Sequence, residues 1–424
     1  MRLKYIYCVA RAEYTILDGV IPKEMPMLDL NLVAGQIGSM INQLKSGWSE
    51  RQASLERALS LLGDESLDLA RLQRKVAVSK TTFLVAGLVD EINGRHSPPA
   101  LPPAHSIIAT DGSQIGTDRH QSAHCFLINI GRVRLDYGDA PAAELSSLPR
   151  LYAGAADCVI TCGARQQVID ANLLGIKRAV EEARHLAEMA AEIPSGRSVL
   201  ALLDGSLIIW SLASKDIQDF VVDEMLEKGF LKHLAEIQRL ARSRNLALAS
   251  YISFPRSTDV VNTLRLLLCP NEAVDCDRQC KDVVPGKRAC DAVAGVQDSD
   301  LFQQLADGQR SSLFISSSKI VENRYGTQRV YFFYLRSGDE IARVEVPEWV
   351  AADSSRLGLA HALVLDQCRR GQGYPVALSE AHEQAVVTGA DSENFRRLLE
   401  TWLSDEHLPT LTSAKSTSKR TRWV

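Results

Sequence analysis

The sequence has no excess of basic charge: 48 Lys and Arg stand against 52 Asp and Glu, a net charge of −4. The molecule as a whole therefore offers no general attraction to a polyanion, and any nucleic-acid contact must come from a local basic surface. Long hydrophobic runs are also missing. The longest candidates, around Val199 to Leu212 and Leu246 to Ile252, are broken by Asp204 or too short for the roughly 18 apolar residues that mark a membrane span. A protein not integral to a membrane is expected. The opening residues, MRLKYIYCVARAEYTILDG, lack the sustained apolar stretch and small-residue cleavage site of a secretory signal. With no export signal, the nine cysteines are expected as reduced thiols in the cytoplasm rather than as disulfides. No repeat of solenoid type occurs.

What is present suffices for a sizeable core: 424 residues, 46% hydrophobic and 24% charged, in one large domain with additions or in two. Residues 1–26 read as a flexible extension. Residues 27–96 read as a helical region of two or three helices, with Leu55, Leu59 and Leu62 and then Leu67, Leu69 and Leu72 at helical spacing and Ser49 and Asp64 as caps. Its apolar face serves packing or a dimer. The run SPPALPP at 97–103 reads as a semi-rigid linker with a domain boundary near residue 100.

Strands are predicted at Ser106–Ala109, Cys125–Ile130 and Val133–Asp136, the last two joined by a turn at Asn129-Ile130-Gly131-Arg132. A helix over Ala164–Ala191, a strand over Val199–Leu203, a helix over Asp216–Asn245 and a strand over Ala247–Ile252 follow. A late hairpin, Val330–Leu335 with Glu340–Glu345, precedes helices at 355–370, 379–388 and 392–403. The polar, basic end, 404–424, is expected to be disordered. Strands alternating with helices predict an α/β fold with a mixed sheet flanked by helices.

Two segments share one shape: IIATDGS ending at Ser113 and LALLDGS ending at Ser206. Each is expected to end a buried strand with an acid, Asp111 or Asp204, and to turn at the following glycine, so that the carboxylate projects at the strand's carboxyl edge. Asp-Gly-Ser is also ordinary turn chemistry. Two such acids on neighbouring strands could share divalent cations. Phosphodiester hydrolysis wants this: hard Mg²⁺ or Mn²⁺ prefers oxygen ligands and stabilises charge on the attacking and leaving oxygens. A third acid would come from the helix before the second strand, where Glu181 and Glu182 follow Arg178; a solvated helix face explains such glutamates equally well. His382, on a late helix, is either a packed residue or a proton-transfer and cation-binding group.

Cys269, Cys276, Cys280 and Cys290 fall in one charged, loop-rich segment, 269–290, with six, three and nine residues between them. Four thiolates could hold Zn²⁺ or an iron-sulfur cluster, or be ordinary thiols, since the spacing is not that of a common zinc knuckle. Cys158 and Cys162 have the spacing of one helix face. Lys228, Lys232, Arg239, Arg242, Arg244, Arg256 and Arg265 line a DNA path or a solvated face.

The run TDGSQIGTDRH from Thr110 to His120, followed by LINIG at 127–131, resembles the opening motif of NurA nucleases. LLDGSLI at 202–208, YISFPRSTDVVNTLR at 251–265, GQRSSLF at 308–314, FFYL at 332–335, ARVEVPEWV at 342–350 and GYPVALSEAHEQA at 373–385 continue the resemblance in order. It covers about residues 105–400, and the nuclease domain is drawn as 104–403. The resemblance implies an RNase H-like core and Mn²⁺-dependent (or Mg²⁺-dependent) nuclease activity, 5′-to-3′ on DNA ends and endonucleolytic on single strands, in end resection and double-strand-break repair. It also implies a homodimer and partnership with a HerA-like hexameric ATPase. Matched by position, Asp111, Asp204 and His382 correspond to the family's metal and active-site residues, Glu182 or its neighbour Glu181 to the helical acid, and Tyr251 to a strand-end motif residue. Arg310, with Arg256 and Arg265, becomes a candidate phosphate contact, against a structural Arg–carboxylate pair. The rival readings are a catalytically weak DNA-end adaptor of the ATPase and an RNase H-like enzyme acting on RNA or hybrids.

Overall fold

The computed structural model describes residues 29–64, 66–116, 125–214 and 216–408. The expected extension at 1–26, the Thr117–His120 part of the opening motif and the tail beyond 408 lie outside them. Residues 47–411 group as one compact unit, and those up to Ser46 belong to another.

Eleven strands among the described residues share one sheet. They are β1 (Ala86–Leu88), β2 (Arg95–His96), β3 (His105–Ile115), β4 (Cys125–Tyr137), β5 (Ala142–Ala153), then, past a separate two-stranded hairpin of β6 (Val159–Cys162) and β7 (Arg165–Val168), β8 (Ser198–Asp204), β9 (Leu246–Ile252), β10 (Arg310–Ser311), β11 (Phe314–Ser316), β12 (Val330–Ser337) and β13 (Glu340–Pro347). The main path runs β1-β11-β12-β13-β9-β8-β3-β4-β5. Its heart is β5-β4-β3-β8-β9: an antiparallel meander of β3, β4 and β5, then β8 and β9 parallel to β3. That is the mixed α/β sheet of RNase H-like order expected from the resemblance. β8 and β9 are buried along nearly their whole length, as parallel strands covered on both faces must be.

One face packs under helix Ala171–Glu192 and the helical stretch ending at Lys232–Ala241. Helices Ser354–Arg370 and Val376–Ala385 cover the other. A third apolar cluster joins the N-terminal helices to helix Asp259–Leu268. No helix of the described residues is long and apolar enough to cross a membrane.

Several local expectations are corrected. The strands placed at 125–130 and 133–136 are one strand, β4, because pairing with β3 on one side and β5 on the other carries the chain straight through the supposed turn at Asn129–Arg132. The helix placed from Ala164 begins at Ala171, capped by Asp170, whose carboxylate accepts from the amides of Asn172 and Leu173. The residues before it form the β6–β7 hairpin, so Cys158 and Cys162 do not share a helix face. At the N-terminus, Ser49 lies inside a single helix, Leu30–Leu62; Asp68, not Asp64, caps the next, Leu69–Val78. The segment read as helical also supplies β1 and β2, which pair with β11 and β10. Strands from before and after the proline run thus share one sheet, with Pro98 beside Gly308 and Pro99 beside Gly358.

Candidate active site

β3 and β8 run parallel in a register that pairs Ala109 with Leu202 and Thr110 with Leu203. One step further sets Asp111 level with Asp204, both on the face covered by helices Ser354–Arg370 and Val376–Ala385, since side chains alternate along a strand. The two acids reach this edge differently. Asp204 ends β8 as expected, and Gly205 turns away at φ +77°. Asp111 does not end its strand: β3 continues to Ile115, paired with β4 throughout. Gly112 is needed for space, because a Cβ there would meet Oε1 of Glu182 at 2.6 Å and Cγ of Arg178 at 2.7 Å.

Glu182 comes from helix Ala171–Glu192, anchored where Thr110 Oγ1 donates to its own carbonyl at 3.0 Å. Its side chain is 14% exposed, and Oε1 lies 3.1 Å from Nε of Arg178, one turn earlier. The alignment is too poor for a hydrogen bond, so both atoms are buried without a hydrogen-bond partner. Burial, reinforced by the charges of Asp111 and Asp204 and opposed by Arg178, pushes the Glu182 carboxyl up to about 8. Glu181 faces elsewhere. Burial would raise it, but Lys177 at 3.0 Å and Arg184 at 2.7 Å hold it down at about 2.

Helix Val376–Ala385 and the loop before it complete the cluster. His382 Nδ1 sits 2.8 Å from Oδ2 of Asp111, whose Oδ1 accepts from the Gly112 amide. The Tyr374 hydroxyl donates to Oδ1 of Asp204 at 2.9 Å. Desolvation raises the Asp204 carboxyl, and the Tyr374 hydrogen bond works against it. Tyr251 is buried behind this layer, its ring edge-on to Tyr374 at 5.5 Å and its hydroxyl donating to the Gly373 carbonyl at 3.4 Å. It supports the site without facing it. Tyr374 itself was not singled out by sequence reasoning; the Gly-Tyr-Pro that opens its helix was the available signal.

The other candidates are not brought together with the carboxylates. Arg265 donates to the Cys290 carbonyl, pairs with Asp291 at 3.2 Å and lies over Phe83. Arg310 donates to its neighbour's carbonyl, and desolvation lowers its guanidinium to about 10. Arg256 is exposed beside a cleft lined also by Ser206 and Trp210. Arg244 closes the end of helix Ala171–Glu192 by donating to the carbonyls of Ala190 and Ile193. Among the cysteines, burial raises the Cys276 thiol, and the charges of Cys280, Cys290 and Cys269 add to that, so the four share one corner. Among the described residues no group of three or more His, Cys, Asp or Glu side chains is already arranged to hold a metal ion.

Compared with known proteins, the chain matches the family model of the NurA domain over residues 105–387, about two-thirds of its length. The chain belongs to the NurA family. It is thereby a member of a nuclease family, and Asp111, Glu182, Asp204 and His382 all fall within the NurA-matched region. No curated protein matches the chain. Among solved structures, a prototype foamy virus protease–reverse transcriptase aligns at 16% identity over 36% of this chain and 18% of its own, with a TM-score of 0.19. This NurA-family chain therefore spans under a fifth of that protein.

Proposed function

We propose that this protein is a divalent-metal-dependent deoxyribonuclease of the cytoplasm. It cuts DNA ends 5′ to 3′ and single strands internally, as a homodimer working with a HerA-like hexameric ATPase in double-strand-break processing. The observation that carries the reading is the buried carboxyl of Glu182, raised to about 8 beside Asp111 and Asp204. Three acids from β3, β8 and a helix on the opposite face crowd one edge of the sheet, with the misaligned Arg178 as the cation in contact with Glu182. At neutral pH a proton on Glu182 relieves this crowding, and a bound cation would take that proton's place.

The donor set fits Mn²⁺ or Mg²⁺: hard carboxylate oxygens, one buried without a hydrogen-bond partner. Asp111, Asp204 and Glu182 would hold the ion, with His382 at its margin. When bound, it supplies positive charge that polarises the phosphodiester and the attacking water. Tyr374 keeps Asp204 turned toward the site. With Nδ1–H donating to Asp111, His382 presents Nε2 outward for proton exchange with attacking or departing oxygen.

End-labelled single-stranded and duplex DNA, RNA and hybrids, each with Mn²⁺, Mg²⁺ or chelator, test this. Asp111→Asn and Asp204→Asn should each slow DNA cleavage by about 100-fold or more. Folded variants of both that cut DNA as the parent does would end the assignment. The Cys276 corner is proposed to hold Zn²⁺ or an iron-sulfur cluster; elemental analysis of anaerobically prepared protein without stoichiometric zinc or iron would dismiss it.

A further inference from the structure

A cavity of about 420 Å³ opens at the sheet edge where Asp204 ends β8, and its lining includes Phe83, Ser206, Trp210, Ile252 and Pro255. Its place follows from the strand register. Ser206 comes two residues after Asp204, no more than about 7 Å of chain. Ile252 follows Tyr251, which pairs across to Asp204. The cavity and the acid therefore share the carboxyl edge of β8 and β9 from opposite faces of the sheet, because Ile252 and Arg343 alternate with Tyr251 and Val344, which lie on the face of Asp204.

Its floor holds one cation, already claimed by two carboxylates. Arg343 is buried between Asp259 at 2.8 Å and Glu345 at 2.9 Å, with its guanidinium 3.6 Å from the Phe332 ring centre. Glu345 accepts further hydrogen bonds from the Ser206 hydroxyl and the Leu207 amide. The floor leaves no free cation for a phosphate. The walls are aromatic and aliphatic, with Trp210 43% exposed and its Nε1–H tied to the Ser206 hydroxyl. Flat apolar walls over a pinned polar floor suit an uncharged, planar, hydrogen-bonding group.

A second observation concerns the loop beside Pro255. Phe254 is 79% exposed at φ +44°, a conformation unfavourable for a bulky side chain. Its amide donates to Oε1 of Glu340 at 2.9 Å, an anchor that fixes the turn while the ring projects into solvent. Arg256, two residues on, is exposed at the cavity's rim. An aromatic held outward, an apolar slot and an exposed guanidinium are the parts with which proteins grip a single nucleic-acid strand.

The geometry points to a nucleobase-binding pocket. It takes an unstacked base of a strand that crosses this edge, between Phe83 and Trp210, while Phe254 stacks against a neighbouring base and Arg256 meets the backbone. A base inside a duplex is covered by its neighbours and cannot enter, so the pocket selects single strands or frayed ends. This rests on the nuclease reading for its substrate, but binding tests it separately from cutting.

Fluorescein-labelled oligothymidylates, each with one abasic position moved along the strand, are titrated into full-length Asp111→Asn protein in chelator and read by anisotropy. One abasic position should weaken binding by roughly 10-fold. In the added background of Trp210→Ala or Phe254→Ala the intact strand should bind roughly 10-fold more weakly and position dependence should flatten. Arg256→Ala should weaken all oligonucleotides alike and lessen the salt dependence. Equal affinity for every abasic position in the parent, or unchanged binding by folded Trp210→Ala and Phe254→Ala, would overturn the pocket. Those binding results stand whether or not the parent cuts DNA in any metal, so failure of the pocket and failure of the nuclease assignment remain distinct.

Discussion

A methyl group at position 112 would press Oε1 of Glu182 and Cγ of Arg178 from below 3 Å, so one absent Cβ decides whether the helical acid can reach the sheet edge. Gly112→Ala should cost about 1–3 kcal/mol of stability and reduce DNA cleavage as severely as loss of Glu182, measured by urea midpoint and turnover. Tyr374→Phe isolates a smaller contribution. It removes the hydroxyl that donates to Asp204 but keeps the ring against Tyr251, and a hydrogen bond to a charged group corresponds to about a 10-fold effect. Cleavage should fall by that amount with the melting temperature nearly unchanged; wild-type cleavage would mean the contact does not orient the acid. His361 provides a pH test outside the site. It is buried with Nε2–H donating to the Gly308 carbonyl, and desolvation, chiefly, lowers its pKa to about 4. Its folded value lies below the unfolded one near 6.5, so the unfolded chain gains the proton first and stability falls as pH drops from about 6.5 toward 4. Asp298, raised by burial and by the neighbouring Asp259, and Glu182, raised to about 8 by burial, act with the opposite sign over that range. The comparison must therefore be differential: on going from pH 7 to pH 5, the stability of His361→Gln should rise relative to that of the parent.

At the scale of elements, the site depends on helices whose ends are fastened by side chains from other strands and helices. Helix Ala171–Glu192 delivers Glu182, and Arg244 supplies donors to its last carbonyls, which have no partners within the helix. Arg244→Ala should lower unfolding free energy by about 1–3 kcal/mol while binding of single-stranded DNA stays at the parental level; a large loss of binding would return Arg244 to the DNA path where its charge first placed it. Helix Val376–Ala385 is fastened from β4, where Asn129 Nδ2 donates to the carbonyls of Gln384 and Ala385. At Gly131 a Cβ would collide with the Ala381 carbonyl. The Asn-Ile-Gly-Arg sequence that reads as a turn is thus a docking surface in mid-strand: Gly131 admits the helix that carries His382, and Asn129 satisfies the helix's end.

At the scale of the whole molecule, the sheet formed by the described residues ends in β5, a twelve-residue strand exposed along nearly all its length, with Leu145, Leu148 and Leu151 open to solvent. A long, apolar free edge is a template for pairing, which supports a second copy of this chain as its partner. Sedimentation equilibrium should give twice the chain mass for the parent and a monomer for Leu145→Glu/Leu151→Glu; a monomeric parent would remove the dimer from the proposal. The sequence by itself determined the alternation of buried strands and amphipathic helices, the two acids placed after apolar strands, and the order of motifs that marks the family, because these depend on local periodicity and on residue types at fixed separations. It could not choose between Glu181 and Glu182, adjacent on one helix, nor find Tyr374 or keep β4 whole. Those outcomes depend on which neighbours arrive from far along the chain: Lys177 and Arg184 claim Glu181, the sheet edge claims Glu182, and pairing with both β3 and β5 overrides a turn-like sequence. Tertiary structure alone set Asp111 beside Asp204, since the parallel register between β3 and β8 is fixed by packing across 93 positions of chain.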